Sequence, residues 1–307
     1  MTSRGRAEAR DLLKRRGRVN ATPYVLILPS LAIIIAFLII PILQAVVLTF
    51  TNTSLLTRQN ARFIGLKNYI DFFTGSNFGR VFTATFVYVV GGVTFTYVFG
   101  LFTAAILHNN FVGRGLARTL LIMPWVVPQV VLVIVWKWMF NPKYGVINFL
   151  LSSIRLVPVD FSWFSSATFG MAAILITTVW KQYPLALLIL LAGMQSISKE
   201  LYEAASVDGA NPIQKFTRIT LPGLRYVTTV LVLLLTVWHF GNFVIVWLMT
   251  QGGPANGTAT LTIFTYLNAF KFDKLGVGAT VGVIALLISL IFSAVYYRLF
   301  VRGLAVE

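Results

Sequence analysis

The sequence contains no cysteine and only two histidines among its 307 residues. No disulfide framework or thiolate metal centre can be built, and two imidazoles leave little for any other metal site. Carboxylates are almost as scarce. The nine acidic residues are Glu8, Asp11, Asp71, Asp160, Glu200, Glu203, Asp208, Asp273 and Glu307, and all lie outside the long apolar runs. Ion-coupled carriers commonly keep carboxylates within their spans, because burying one is costly unless it is used. Their absence weighs against such a carrier, though backbone carbonyls can also hold sodium. No Gly-x-x-x-x-Gly-Lys-[Ser/Thr] loop occurs, and Gly252-Gly253-Pro254 reads as a turn rather than a phosphate cradle. No nucleophile, base and orienting carboxylate are arranged for catalysis. The chain reads as a pathway or a scaffold, not an enzyme, and its energy must come from a partner.

What is present is apolar. Such residues make up 57% of the chain, charged residues only 11%, and mean hydropathy is +0.82. A soluble domain carries about 25% charged residues, so this composition cannot cover a globular surface. The expected fold is all-α and polytopic. Six runs are long enough to cross a bilayer, which takes about 20 helical residues. They fall near 24–50, 81–107, 116–140, 167–193, 224–249 and 276–301. Pro29, Pro41, Pro124, Pro128 and Pro184 lie in or near them, tolerable where neighbours satisfy the freed carbonyls. Gly278-x-x-x-Gly282 in the last run offers a small-residue face for close helix contact. The first run is too long for a signal peptide's apolar region and lacks a small-residue cleavage site, so it is expected to stay as an anchor.

The net charge of +16 does not indicate nucleic acid, because the basic residues sit in short segments between apolar runs. They set topology instead. With the amino terminus inside, fifteen basic residues face inward and eight outward, which predicts both termini in the cytoplasm. Residues 1–22 then form a cytoplasmic basic arm. Its Arg6–Arg16 stretch, with Leu12 and Leu13 on one side, is either a solvated tail or a helix lying on anionic lipid.

On this topology residues 194–223 face the cytoplasm. Ser198 can cap a helix whose first turn holds Glu200, and Leu201, Ala204 and Ala205 make a small apolar face. Gly209 suits a left-handed terminating residue. Asn211-Pro212 restarts a helix, since proline fits a first helical position. Ile219, Leu221 and Pro222 lead back toward the membrane. Glu203 is an exposed charge placed to meet a partner.

The spacing Glu203-Ala204-Ala205, Gly209, Ile219, Leu221-Pro222 is the complete cytoplasmic signature of ABC importer membrane subunits, and the chain resembles that family over nearly its whole length. The sugar-importer branch is further resembled by Leu191-Ala192-Gly193-Met194-Gln195, Phe63-x-Gly65-Leu66-x-Asn68-Tyr69, Asn141-Pro142-x-Tyr144-Gly145 and Thr250-x-Gly252-Gly253-Pro254. Ser198 stands where that branch usually carries proline. The resemblance implies a binding-protein-dependent permease of the maltose-importer first-subunit type in a bacterial or archaeal plasma membrane. Implied partners are a second permease subunit, two cytoplasmic ATP-binding subunits that hold ATP and magnesium, and an extracellular solute-binding protein. The seven signature residues are implied to couple to the ATPase.

Two stretches mix aromatic faces with amides and hydroxyls, as a sugar path requires: Thr177–Pro184 and Trp238–Phe243. They nominate Thr178, Trp180, Gln182, Tyr183, His239 and Asn242, with His239 and Asn242 expected on one helix face. By motif register, the resemblance implies sugar contacts at Thr178, Gln182, His239 and Asn242. Polar residues within spans also simply bridge helices. Trp125, Trp136 and Trp138 read as interface or packing residues. Lys181 is either a contact for an anionic substrate, such as a glycerol phosphate or other polyol-type anion, or a tie held by Tyr183 or helix carbonyls. The tie is the favoured reading, with a neutral sugar as cargo. An ion-coupled carrier and a non-transporting scaffold are the remoter alternatives.

Overall fold

A proline lacks the amide hydrogen, and its ring crowds the carbonyl four residues back, so each one in an apolar run must be accommodated. The computed structural model describes residues 22–56 and 61–298 and shows how. The basic arm, including Arg6–Arg16, lies outside the described residues except for Thr22. A first compact unit ends at Val47 and a second begins at Leu48.

The chain enters through α1 (Thr22–Ile34), a π-helical turn over Ile35–Ile39, and α2 (Ile40–Leu48). The wide turn directly precedes Pro41: the amide of Ile40 reaches back five residues to Ile35 O, which lets the helix continue past the ring. The same device recurs at Phe216–Thr220 before Pro222.

The second unit is a helical bundle. After α3 (Lys67–Thr74) come α4 (Phe78–His108), α5 (Arg114–Val126), α6 (Gln129–Met139), α7 (Val146–Ser153) and α8 (Ala167–Gln195). Beyond lie α9 (Lys199–Val207), α10 (Pro212–Lys215), α11 (Leu221–Gly223), α12 (Arg225–Gly241), α13 (Val244–Thr250), α14 (Leu261–Tyr266) and α15 (Leu275–Tyr296). Among the described residues there is no strand, only an isolated bridge between Thr51 and Phe63. Among the described residues four helices are long and apolar enough to cross a membrane, and counting each of two bent pairs as one span raises the number to as many as six. The all-α, polytopic expectation holds.

The expected runs differ from the helices in two places. The run at 116–140 is not one helix: α5 and α6 meet at Val127-Pro128 with a bend of 99°. Proline restricts the residue before it to extended backbone, and Val127 has ψ 128. The run at 224–249 breaks at Asn242-Phe243, where Asn242 is extended. The segments at 67–74, 146–153 and 261–271 are also helical, though too short to span.

The core forms where α4 packs on α8. A Cβ at Gly100 would lie 2.5 Å from that of Ala186, so the two backbones touch. The Gly278 face is likewise used inside the chain, against Ala269, where a Cβ would again stand at 2.5 Å. Turn chemistry ties down the chain between α2 and α3 and just before α15. Buried Asn68 donates to Thr49 O and Thr51 O at 2.8 and 2.9 Å. Asp273 accepts from Ser54 Oγ and Leu55 N, both at 2.7 Å.

Candidate functional site

Residues 196–224 form a compact helical pair between α8 and α12. Ser198 Oγ accepts from the amide of Glu200 at 3.3 Å and caps α9. At the other end Gly209 takes φ +76, and the amide of Ala210 returns to Ala205 O at 2.8 Å. Asn211 and Gln214 then form a reciprocal capping box, at 2.9 and 2.8 Å, that starts α10 on Pro212. Two hydrogen bonds hold the pair together. Lys215 Nζ reaches Ser206 Oγ at 2.6 Å, and the hydroxyls of Tyr202 and Thr220 meet at 2.9 Å.

Of the signature residues, Glu203, Ala204, Gly209 and Pro222 are exposed, while Ala205, Ile219 and Leu221 are half-buried. Glu203 makes no ion pair among the described residues. Apolar groups also stand in the open: Leu201 at 54% exposure, Val207 at 89% and Ile213 at 74%. Val207 and Ile213 carry no sequence signal apart from the helix register. The base of the pair is rigid, because Ile197 fills the space beside Gly223 and buried Leu224 fills that beside Gly193. From there the chain turns through 66° into α12.

The six residues proposed for a substrate path separate onto two faces of α8 and its neighbours. Trp180 and Tyr183 line a groove of about 550 Å³ together with Phe95 and Phe99 of α4 and Trp136 of α6. Through Ala172 and Leu175 it continues into a second groove of about 720 Å³, which runs past Thr83 to Arg80 and Pro254. Trp136 packs edge-on against Trp180 with ring centroids 5.8 Å apart. The sequence assigns Trp136 to an interface or to packing; its place on the groove wall depends on the bend at Pro128, which apolar periodicity does not reveal.

Thr178, Gln182 and His239 lie on the other side, buried between α4, α8 and α12. The Thr178 hydroxyl is 3.4 Å from that of Tyr88. His239 Nδ1 is 2.7 Å from Leu235 O and must donate to it, which leaves Nε2 as an acceptor. Among the described residues that nitrogen has no hydrogen-bond partner, and neither do the buried oxygens of Gln182, Thr96 and Asn242. Gly92 makes room for the imidazole: a Cβ there would lie 2.3 Å from it. Asn242 does not share a helical face with His239, because α12 stops at Gly241. Lys181 is tied by backbone carbonyls at the end of α5, donating to Pro124 O, Trp125 O and Val127 O.

The family of binding-protein-dependent transport system inner membrane components matches residues 96–306. The chain is 31% identical to the trehalose/maltose transport system permease protein MalF of Thermococcus litoralis, covering 90% of this chain and 92% of that one. It is 34% identical to the sulfoquinovosyl glycerol transport system permease protein SmoG of Agrobacterium fabrum, covering 90% and 89%. Among solved structures, a bacterial ABC transporter involved in importing the acidic polysaccharide alginate has the same fold. It superposes with TM-score 0.78 at 20% identity, covering 94% of this chain and 98% of that one.

Proposed function

The chain belongs to the binding-protein-dependent transport system inner membrane component family, and on that premise we propose that it carries a sugar along the α4–α8 groove, driven from the α9–α10 pair. It is a multi-pass permease subunit of an ABC importer, and not itself an enzyme. ATP hydrolysis, with magnesium, belongs to two partner subunits on the cytoplasmic side. A second permease subunit completes the path, and an extracellular solute-binding protein delivers the cargo. The membrane is the plasma membrane of a bacterium or archaeon, with both termini and residues 194–223 in the cytoplasm.

The observation that carries the coupling role is the exposed, doubly capped helical pair. Its polar groups are mostly spent on its own shape, while Leu201, Val207 and Ile213 stay in the open beside an unpaired Glu203. An apolar patch rimmed by charge on a rigid base suits a protein partner. Closure of that partner moves the pair as a rigid body and, through Leu224, the foot of α12. Glu203, Ala204, Ala205, Gly209, Ile219, Leu221 and Pro222 transmit this motion.

Trp180 and Tyr183 supply aromatic faces for sugar rings along the groove. Thr178, Gln182, His239 and Asn242 serve as internal polar packing. An anionic sugar derivative is the second reading, favoured by Arg80 on the groove wall, whose guanidinium hydrogen-bonds among the described residues to Ala255 O alone, at 3.4 Å. The test is uptake of labelled trehalose, maltose and sulfoquinovosyl glycerol by the complete complex in liposomes. Uptake that requires ATP and the binding protein, and survives collapse of ion gradients, is expected. Uptake that persists without ATP and stops with the gradient sinks the reading.

A further inference from the structure

The bend between α5 and α6 leaves backbone carbonyls that nothing on their own helix can pair. Pro124 O would normally accept from the amide of residue 128, but Pro128 has none. Trp125 O loses its successor because the chain turns through 99° at that point. Val127 is extended and sits outside either helix. At membrane depth no water is available to satisfy such groups, and each unpaired carbonyl is costly. Lys181 supplies what is missing. Its ammonium has three N–H groups and meets three carbonyls, Pro124 O at 3.4 Å, Val127 O at 2.7 Å and also Trp125 O. A cation at the carboxy-terminal end of α5 is also favoured by the helix dipole.

The adjacent residue connects this tie to the path. Trp180 packs on Trp136, one turn from the carboxy-terminal end of α6, and both line the groove. The far end of α6 is fixed separately, by Lys137 Nζ on Leu248 O at 3.2 Å. Thus α6 is pinned near both ends by a lysine on backbone carbonyls, and its indole forms part of the wall.

We propose that Lys181 is a positioning residue: it fixes the angle between α5 and α6, and so the wall that Trp136 presents to the groove. It makes no substrate contact, since its donors are already taken. This rests on the groove being the path, but the angle is measurable on its own. The sequence has no cysteine, so thiol labels can be placed at will. Spin labels at Leu116→Cys and Ile134→Cys, both on exposed positions at 67% and 64%, flank the bend. Full straightening separates them by roughly 8 Å more, at about 1.5 Å of rise per residue.

The experiment compares Lys181→Met, Lys181→Arg and the parent in the complete importer, whose other subunits are freed of reactive thiols. The methionine variant keeps the apolar stem and should insert normally. It is expected to lengthen or broaden the label distance and to lower uptake about tenfold at equal subunit abundance. The arginine variant, which can still donate to several carbonyls, should restore both to within about twofold. An unchanged distance in Lys181→Met overturns the proposal, whatever the uptake, and a loss of uptake alone would mark Lys181 as a substrate contact. A changed distance with normal uptake also overturns it. Failure of the path reading shows elsewhere, as normal uptake in Trp180→Ala.

Discussion

The helical pair at 198–223 and the polar cluster around His239 both break the apolar pattern, yet they treat their polar groups in opposite ways. In the pair, Ser198, Asn211, Gln214, Lys215 and Tyr202 all find partners within eighteen residues along the chain, and Glu200, Glu203 and Asp208 stand exposed. In the cluster, the oxygens of Gln182 and Thr96 and the free nitrogen of His239 are buried without a partner. A buried polar atom left unpaired costs about 1–3 kcal/mol. Exposed polar residues are spent on shape, whereas buried ones are a cost that is either structural history or function. Perturbing each region tells which.

The largest effect is expected at the pair. Glu203→Arg reverses the middle of three exposed acidic charges along α9, the others being Glu200 and Asp208. Gly209→Val places a β-branched residue at φ +76, where left-handed backbone costs an L-residue about 1–2 kcal/mol. The double variant should insert at parental levels, cease to co-purify with the ATP-binding subunits, and lose uptake by at least about 100-fold, on the order of the 2.7 kcal/mol that such a loss represents. Parental co-purification and uptake would remove the docking role from this surface.

The next test separates the two faces of α8. Trp180→Ala together with Tyr183→Ala strips the aromatic wall and should lower uptake about tenfold, roughly 1.4 kcal/mol in the path. His239→Leu with Gln182→Leu removes two orphaned acceptors and should leave uptake within about twofold, with the melting temperature unchanged or raised. The opposite ranking would make the buried acceptors the sugar site, reached in another conformation. Gly92→Ala is the stability counterpart. A methyl 2.3 Å from the imidazole of His239 forces helix displacement, costing about 1–3 kcal/mol, read as a lowered melting temperature of the purified subunit complex.

How much of this was legible in the sequence follows the same division. Capping and turn residues act on their neighbours, so the pair could be read almost to the residue: Ser198 caps, Gly209 is left-handed and Asn211-Pro212 restarts the helix, all as expected. Apolar run length marked the spans but not their interruptions. Pro128 was visible, but whether a proline kinks a helix or ends it depends on whether a distant group can pair the freed carbonyls, and Lys181 lies more than fifty residues away. The break at Asn242 was hidden for the same reason, so the expected shared face with His239 did not form. Trp136 on the groove wall and the Thr178–Tyr88 contact depend on the packing of three helices. No local pattern encodes that.

The smallest effect should come from Asn211→Ala, and it sharpens the comparison most. The change removes one half of the capping box, the 2.9 Å bond to the amide of Gln214, and costs about 1 kcal/mol of local helix stability. Amide exchange at Gln214 should then quicken about fivefold, as that energy implies. Uptake should fall less than about threefold, because α9, which bears Glu203, keeps its own cap at Ser198 and the pair keeps its Lys215–Ser206 bond. A loss of uptake as deep as that of the docking variant would mean that the start of α10, and not the α9 patch, meets the partner. The apolar Ile213 one residue beyond Pro212 would then become the contact to mutate.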